Sequence, residues 1–107
     1  MEEKTLFIEL LGDSPKVRVL DMLITGRGLD YSITDIASQA GIGRATFYGM
    51  LDDMLKEKII IQTRKFGRIQ LYKLNLNNEN VKGLVGLYDS LLKKGAEKAV
   101  KKMVVGV

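Results

Sequence analysis

Apolar residues recur along most of this chain at the spacing of amphipathic helices, and over one stretch past the middle they switch to a period of two. The opening run "TLFIELL" at 5–11 sets Leu6, Phe7, Leu10 and Leu11 at helical spacing, and Gly12 ends it. A second helix restarts in "DSPKVRVLDMLI", with Ser14 as cap and Pro15 at the first helical position. Val17, Leu20 and Ile24 share one face there, Val19 and Leu23 flank it, and Gly26 and Gly28 close the segment. Ser32 and Asp35 form a capping box, with Tyr31 placed to staple onto Ile36, so the spacing predicts a helix over 33–40 stopped by Gly41. Gly43 is a permissible N-cap for the next helix, from Arg44 to about Lys58, whose buried face is Phe47, Leu51, Met54 and Leu55.

The period then changes. Ile59–Ile61 is β-branched, and Gln70, Tyr72 and Leu74 alternate with Ile69, Leu71 and Lys73. Phe66-Gly67-Arg68 carries the turn signal between these runs, which predicts a hairpin with a short tip. Asn75, Asn77, Asn78 and Asn80 form a polar break. From Val81 to about Val104 the pattern is helical again, through Val81, Val85, Tyr88, Leu92, Ala99 and Met103. Gly83, Gly86 and Gly95 each lower helix propensity there by about 1 kcal/mol against Ala. Close helix approach accounts for them, and so does a break near Gly95; the pattern leaves both open.

The segment "IASQAGIGRATFYGML" at 36–51 carries the functional signal. Two short helices joined through Gly41-Ile42-Gly43 read as a helix-turn-helix, in which the second helix projects so that its first turns enter a DNA major groove. With Phe47 and Leu51 facing the core, Arg44, Ala45, Tyr48 and Gly49 lie roughly opposite. Arg44 suits guanine or phosphate, and Ala45 a thymine methyl. Thr46 and Tyr48 bring hydroxyls for phosphate, and Gly43 keeps the helix start slim for approach to phosphate. From Lys58 to Lys73 the charged residues are Lys58, Arg64, Lys65, Arg68 and Lys73, with no acid among them. Their clustering around Gly67 reads as a wing gripping backbone or minor groove. Asp52 and Asp53 are expected on the later, solvent-facing turns, and Met50 and Met54 as core filler.

Composition narrows the alternatives. The chain has 107 residues, enough for one compact domain, and no apolar run long enough for a membrane span. The acidic start "MEEKTLF" argues against a secretory signal, and the expected location is the cytoplasm, with the nucleoid. The chain contains no Cys and no His, which excludes disulfides and thiolate metal sites and removes the usual general base. Neither a P-loop nor a G-x-G-x-x-G occurs. The expectation is therefore no enzyme, no metal and no cofactor. Seventeen basic and 13 acidic residues give a net charge of +4, mildly basic and informative mainly through its clustering in the hairpin.

Taken in order, helix, helix, short strand, helix-turn-helix, hairpin and long helix, the chain resembles the winged helix-turn-helix regulators of prokaryotes. "LLGDSPKVRVLDMLI" is similar to the ArsR-like opening, and "SITDIASQAGIGRATFYGMLDDMLKEKII" to the MarR/ArsR/PadR-type core, so that the likeness covers roughly residues 6–75. Gly43 stands where such families often have Ser or Thr, and the Cys and His clusters of metal-sensing members are missing. The resemblance implies an α+β, mostly helical fold: a winged helix-turn-helix with a two- to three-stranded antiparallel sheet over residues 1–75, and a long C-terminal dimerisation helix over 76–107.

The expected function is sequence-specific binding of double-stranded DNA by a homodimeric transcriptional regulator acting through operator occlusion. The expected DNA contacts are Gly43, Arg44, Ala45, Thr46, Tyr48, Gly49, Arg64, Lys65, Gly67 and Arg68. The expected dimer contacts are Val81, Val85, Tyr88, Leu92 and Ala99, because one small domain has limited apolar surface to cover that stripe. The alternatives are a plasmid- or virus-encoded DNA-binding adaptor, for example in segregation, an RNA-binding winged helix, and a winged-helix module with a protein partner.

Overall fold

The computed structural model describes residues 4–105, with side chains described through residue 98. Seven elements follow in order: α1 (Leu6–Leu11), α2 (Pro15–Thr25), α3 (Ile33–Ala40), α4 (Arg44–Lys56), β1 (Ile60–Phe66), β2 (Ile69–Leu74) and α5 (Glu79–Val105). The local signals for α2 and α3 act as their chemistry requires. The Ser14 hydroxyl accepts from the Val17 N–H at 3.2 Å, and the Ser32 hydroxyl from the Asp35 N–H at 3.1 Å. Gly41 takes the left-handed conformation at φ 71°, which turns the chain from α3 into α4 at little steric cost.

The three helices α2, α3 and α4 close over one core of Val19, Leu23, Ile24, Ile36, Phe47 and Met54, roofed by Ile60, Tyr72 and Leu74 from the hairpin. β1 and β2 pair antiparallel, and Tyr31 adds a single antiparallel bridge to Tyr72. The sheet itself has two strands, and Tyr31 stands beside it as a one-residue bridge, held by exchanged backbone hydrogen bonds of 2.8 Å with Tyr72. A methyl at Gly26 would overlap the Tyr31 hydroxyl, so any side chain there would have to displace that ring.

α4 ends near Lys56, earlier than the expected Lys58, and Lys58 adopts φ 57°, a left-handed conformation uncommon for a side chain of its type. The polar break that follows explains how this corner is held. Asn78 Nδ2 donates to the carbonyls of Glu57 and Lys58, both at 3.0 Å, and Asn75 Nδ2 donates to the Lys58 carbonyl at 2.9 Å. The Asn78 carboxamide oxygen meanwhile accepts from the N–H groups of Asn80 and Val81 at 2.8 and 3.3 Å, capping α5. One side chain therefore satisfies both the end of α4 and the start of α5.

α5 runs without interruption through Gly95, and a Cβ at that position would come within 2.8 Å of Leu6 Cδ1, so the glycine admits α1 against α5. The apolar stripe of this helix divides its work. Val81 is 1% exposed and belongs to the core, and Val85 and Tyr88 pack on that core. Tyr88 stacks at a tilt on Phe7, with centroids 5.7 Å apart, and shares a 2.7 Å hydrogen bond with Thr25. Arg27 holds Asp89 through two contacts of 2.9 and 3.1 Å. Of the residues expected in a dimer seam, Val81 is thus enclosed by the domain itself, and Val85 and Tyr88 are half-buried, Tyr88 against Phe7 of α1 and Thr25 of α2; periodicity shows that a face is buried, not what covers it. Leu92 is 62% exposed, and the side chain of Ala99 lies outside the described residues. In α1 the buried pair is Phe7 and Ile8, whereas Leu6, Leu10 and Leu11 face outward.

Replacing Asn78 by Ala should destabilise the domain by about 1–2 kcal/mol, through loss of a helix cap and of two bonds to carbonyls. Urea denaturation of the two chains checks this. A loss no larger than that of an ordinary surface substitution would show that water replaces the carboxamide at no cost.

Candidate nucleic-acid interface

α4 has one buried face, Phe47, Leu51 and Met54, and that burial fixes which residues look outward. Gly43, Arg44, Ala45, Thr46, Tyr48 and Gly49 are all exposed, and so are Asp52 and Asp53 on the later turns. No side chain caps the start of α4. Its first N–H groups, which lack intrahelical acceptors, are left at the positive end of the helix dipole. A Cβ at Gly43 would meet nothing closer than Thr46 Oγ1 at 3.8 Å, so the chain's own packing does not demand glycine there. Arg44 lies over the Tyr48 ring, 5.9 Å from its centroid, which holds the guanidinium along the outer face of the helix.

The wing is a hairpin whose two-residue tip, Gly67-Arg68, follows from the pairing of Phe66 with Ile69. Gly67 supplies the positive φ of 65° that a tight turn needs at its first central position. Arg64, Lys65, Gly67 and Arg68 are all exposed. Among the described residues Lys65, Arg68 and Arg44 make no ion pair.

Arg64 differs from its neighbours. The register of the hairpin shifts by one between Gln62 and Lys65, a β-bulge in β1. In a regular strand consecutive side chains point to opposite faces. At this bulge Thr63 and Arg64 instead reach the same carboxylate: Thr63 Oγ1 donates to Asp30 Oδ2 at 2.8 Å and Arg64 Nε to the same oxygen at 3.0 Å. Asp30 thus ties the wing to the loop before α3. The Arg64 guanidinium, then the Thr63 hydroxyl, hold its carboxyl below the usual aspartate range. Asp30 carries no periodic or turn signal and stands 34 positions before Arg64, so nothing local announces the pair. Asn78 had a readable signal, an Asn three residues ahead of Val81 at a helix start.

α4, the wing and the start of α3 enclose a cleft of about 720 Å³. Arg44 and Tyr48 line it from α4, Ser32 and Thr34 from α3, and Phe66, Arg68 and Ile69 from the wing. Among the described residues no helix is long and apolar enough to cross a membrane, and no group of acidic side chains is placed to hold a metal ion.

No family model and no curated protein sequence matches the chain. Solved structures do. NadR in complex with 4-hydroxyphenylacetate is similar over 92% of this chain and 72% of its own, at 19% identity and a TM-score of 0.63. MepR, a regulator of the Staphylococcus aureus multidrug efflux pump MepA, is similar over 92% and 77%, at 13% identity and a TM-score of 0.61. The transcriptional repressor CouR, solved on a 23-mer DNA duplex, is similar over the same shares at 19% identity and a TM-score of 0.54. A MarR-family regulator from Silicibacter pomeroyi is among the similar structures as well. The chain has the winged-helix fold of the MarR-type transcriptional regulators.

The Asp30 tie makes a pH prediction. Its folded carboxyl titrates below the unfolded value of about 3.9. The contact therefore stabilises fully above that value, and its contribution is lost as pH falls through the depressed one. Asp30→Asn should melt at a lower temperature than wild type at neutral pH, and the gap should narrow below about pH 4. Thermal melts across that range check it; a gap independent of pH would mean that the carboxylate charge does not anchor the wing.

Proposed function

We propose that this protein is a sequence-specific binder of double-stranded DNA that regulates transcription as a homodimer, by occluding its operator. The observation that carries the reading is the outward first turn of α4, uncapped and holding Arg44, beside a wing tip whose cations Lys65 and Arg68 have no acidic partner among the described residues. α4 enters the major groove, with Arg44, Ala45, Thr46, Tyr48 and Gly49 toward base edges and flanking phosphates. Gly43 lets the backbone approach a phosphate at the helix start. Lys65, Gly67 and Arg68 lie along the neighbouring backbone. Arg64 adds charge there, but its first role is to position the wing through Asp30. The likeness to CouR, solved on a DNA duplex, supports this reading at the level of fold.

The dimer seam of this reading lies on α1 and α5. Leu6, Leu10 and Leu11 of α1 and Leu92 of α5 are exposed by 42, 59, 43 and 62%. With the partly exposed Val85 and Tyr88 they offer apolar surface for a second copy. Two copies set their α4 helices about 34 Å apart on one face of the duplex. Linking them makes the second half-site contact effectively intramolecular.

Arg44→Ala should weaken specific binding by about 1–3 kcal/mol and relax the preference at one base pair. Lys65→Ala with Arg68→Ala should weaken all duplexes alike and flatten the slope of log K against log salt by about 0.9 per lost phosphate contact. Footprinting and salt titration separate the two effects, and unchanged site preference together with an unchanged slope would remove this surface from DNA. Leu92→Asp should shift the chain to monomer in sedimentation at micromolar concentration. A wild type that is already monomeric, or a variant that stays dimeric, would place pairing elsewhere.

A further inference from the structure

The cleft between α4 and the wing has two unlike walls. Arg44, Ser32 and Thr34 bring charge and hydroxyls from the helical side. The wing side carries an apolar face: by the hairpin register Phe66, Ile69 and Leu71 share it, and all three line the cleft, with Arg68 and Gln70 beside them. Phe66 is 74% and Ile69 53% exposed. A wing that met only phosphate would need cations alone, and the solvated face of a hairpin is ordinarily polar. Two large apolar residues paired across the strands, each next in sequence to a cation, Lys65 or Arg68, call for a ligand that is anionic on one side and apolar on the other.

We propose that this cleft seats one sugar–phosphate strand of duplex DNA, and that Phe66 and Ile69 form a wall that selects deoxyribose over ribose. The inference rests on the DNA-binding reading above and extends it from charge to sugar. A major groove and its neighbouring minor groove are separated by one backbone strand. A protein with α4 in the first and the wing tip in the second therefore holds that strand between them. Phosphate oxygens then meet Arg68 and the hydroxyls of Ser32 and Thr34, while Arg44 reaches past the strand to a base edge. Asp35 lines the cleft as well, and its carboxylate repels phosphate that comes near it. The 2′-methylene of deoxyribose packs on Phe66 and Ile69, whereas a ribose 2′-hydroxyl, a donor and an acceptor, would be pressed against side chains that offer it no partner.

The test uses the full chain and a duplex recovered by selection from a random pool, resynthesised with single ribonucleotides walked along each strand. Binding is read by fluorescence anisotropy. One or two adjacent positions should carry a penalty of roughly tenfold, the cost of a hydroxyl buried without a partner, and a 2′-fluoro sugar there should cost less. Phe66→Ala with Ile69→Ala should erase most of that penalty and leave the salt slope unchanged, since no charge is removed. Both side chains are largely exposed, and a thermal melt confirms that the variant folds. Ribose tolerated at every position, or a penalty that persists in the variant, overturns the sugar wall while leaving DNA binding intact. If the variant loses only contact between neighbouring copies on DNA, the apolar face serves protein contact and the proposal fails. A wild-type chain that binds no duplex overturns the DNA reading itself.

Discussion

Everything outward on this molecule depends on what α4 buries. Phe47 and Met54 are fully enclosed between α2, α3 and the hairpin, so the helix has no rotational freedom left. Burying one face of a helix decides the other, and here the remaining face begins with Arg44 and Tyr48. The Gly41 turn sets where the helix starts, and the Asn75–Asn78 clasp sets where it ends. A recognition surface needs this rigidity, because groups aimed at base edges must already be in place when DNA arrives.

The wing is held by different means. It has few buried residues past Tyr72, and its tip stands in solvent. Its orientation relies on the Tyr31 bridge at the base and on the Asp30 carboxylate halfway up. The bulge in β1 is what lets two consecutive residues reach that carboxylate. One face of α4 and one face of the wing are thereby set opposite each other, across a space whose walls differ in chemistry.

Much of this was legible in the chain. The ends of α3 followed from Ser32, Asp35 and Gly41, because caps and stops are local devices. The hairpin followed from alternation around Gly67. What could not be read was any feature made by residues far apart in sequence. Asp30 reaching Arg64 and Asn78 reaching the end of α4 depend on how elements pack. The face of α5 poses the same problem. Val81, Val85 and Tyr88 announce burial by their spacing, but the identity of the covering surface belongs to tertiary structure. The outward leucines of α1 make the converse point: Leu6, Leu10 and Leu11 have helical spacing, yet the domain buries Phe7 and Ile8 instead.

The central claim is that duplex DNA lies across the start of α4 and the wing. Backbone amide chemical shifts of the full chain, followed while a selected duplex is added, test it most directly. The account predicts that the largest changes fall on the amides of residues 43–49 and 64–69, with the core of α2 nearly silent. Changes concentrated on the outward faces of α1 and α5, with α4 and the wing unmoved, would contradict it.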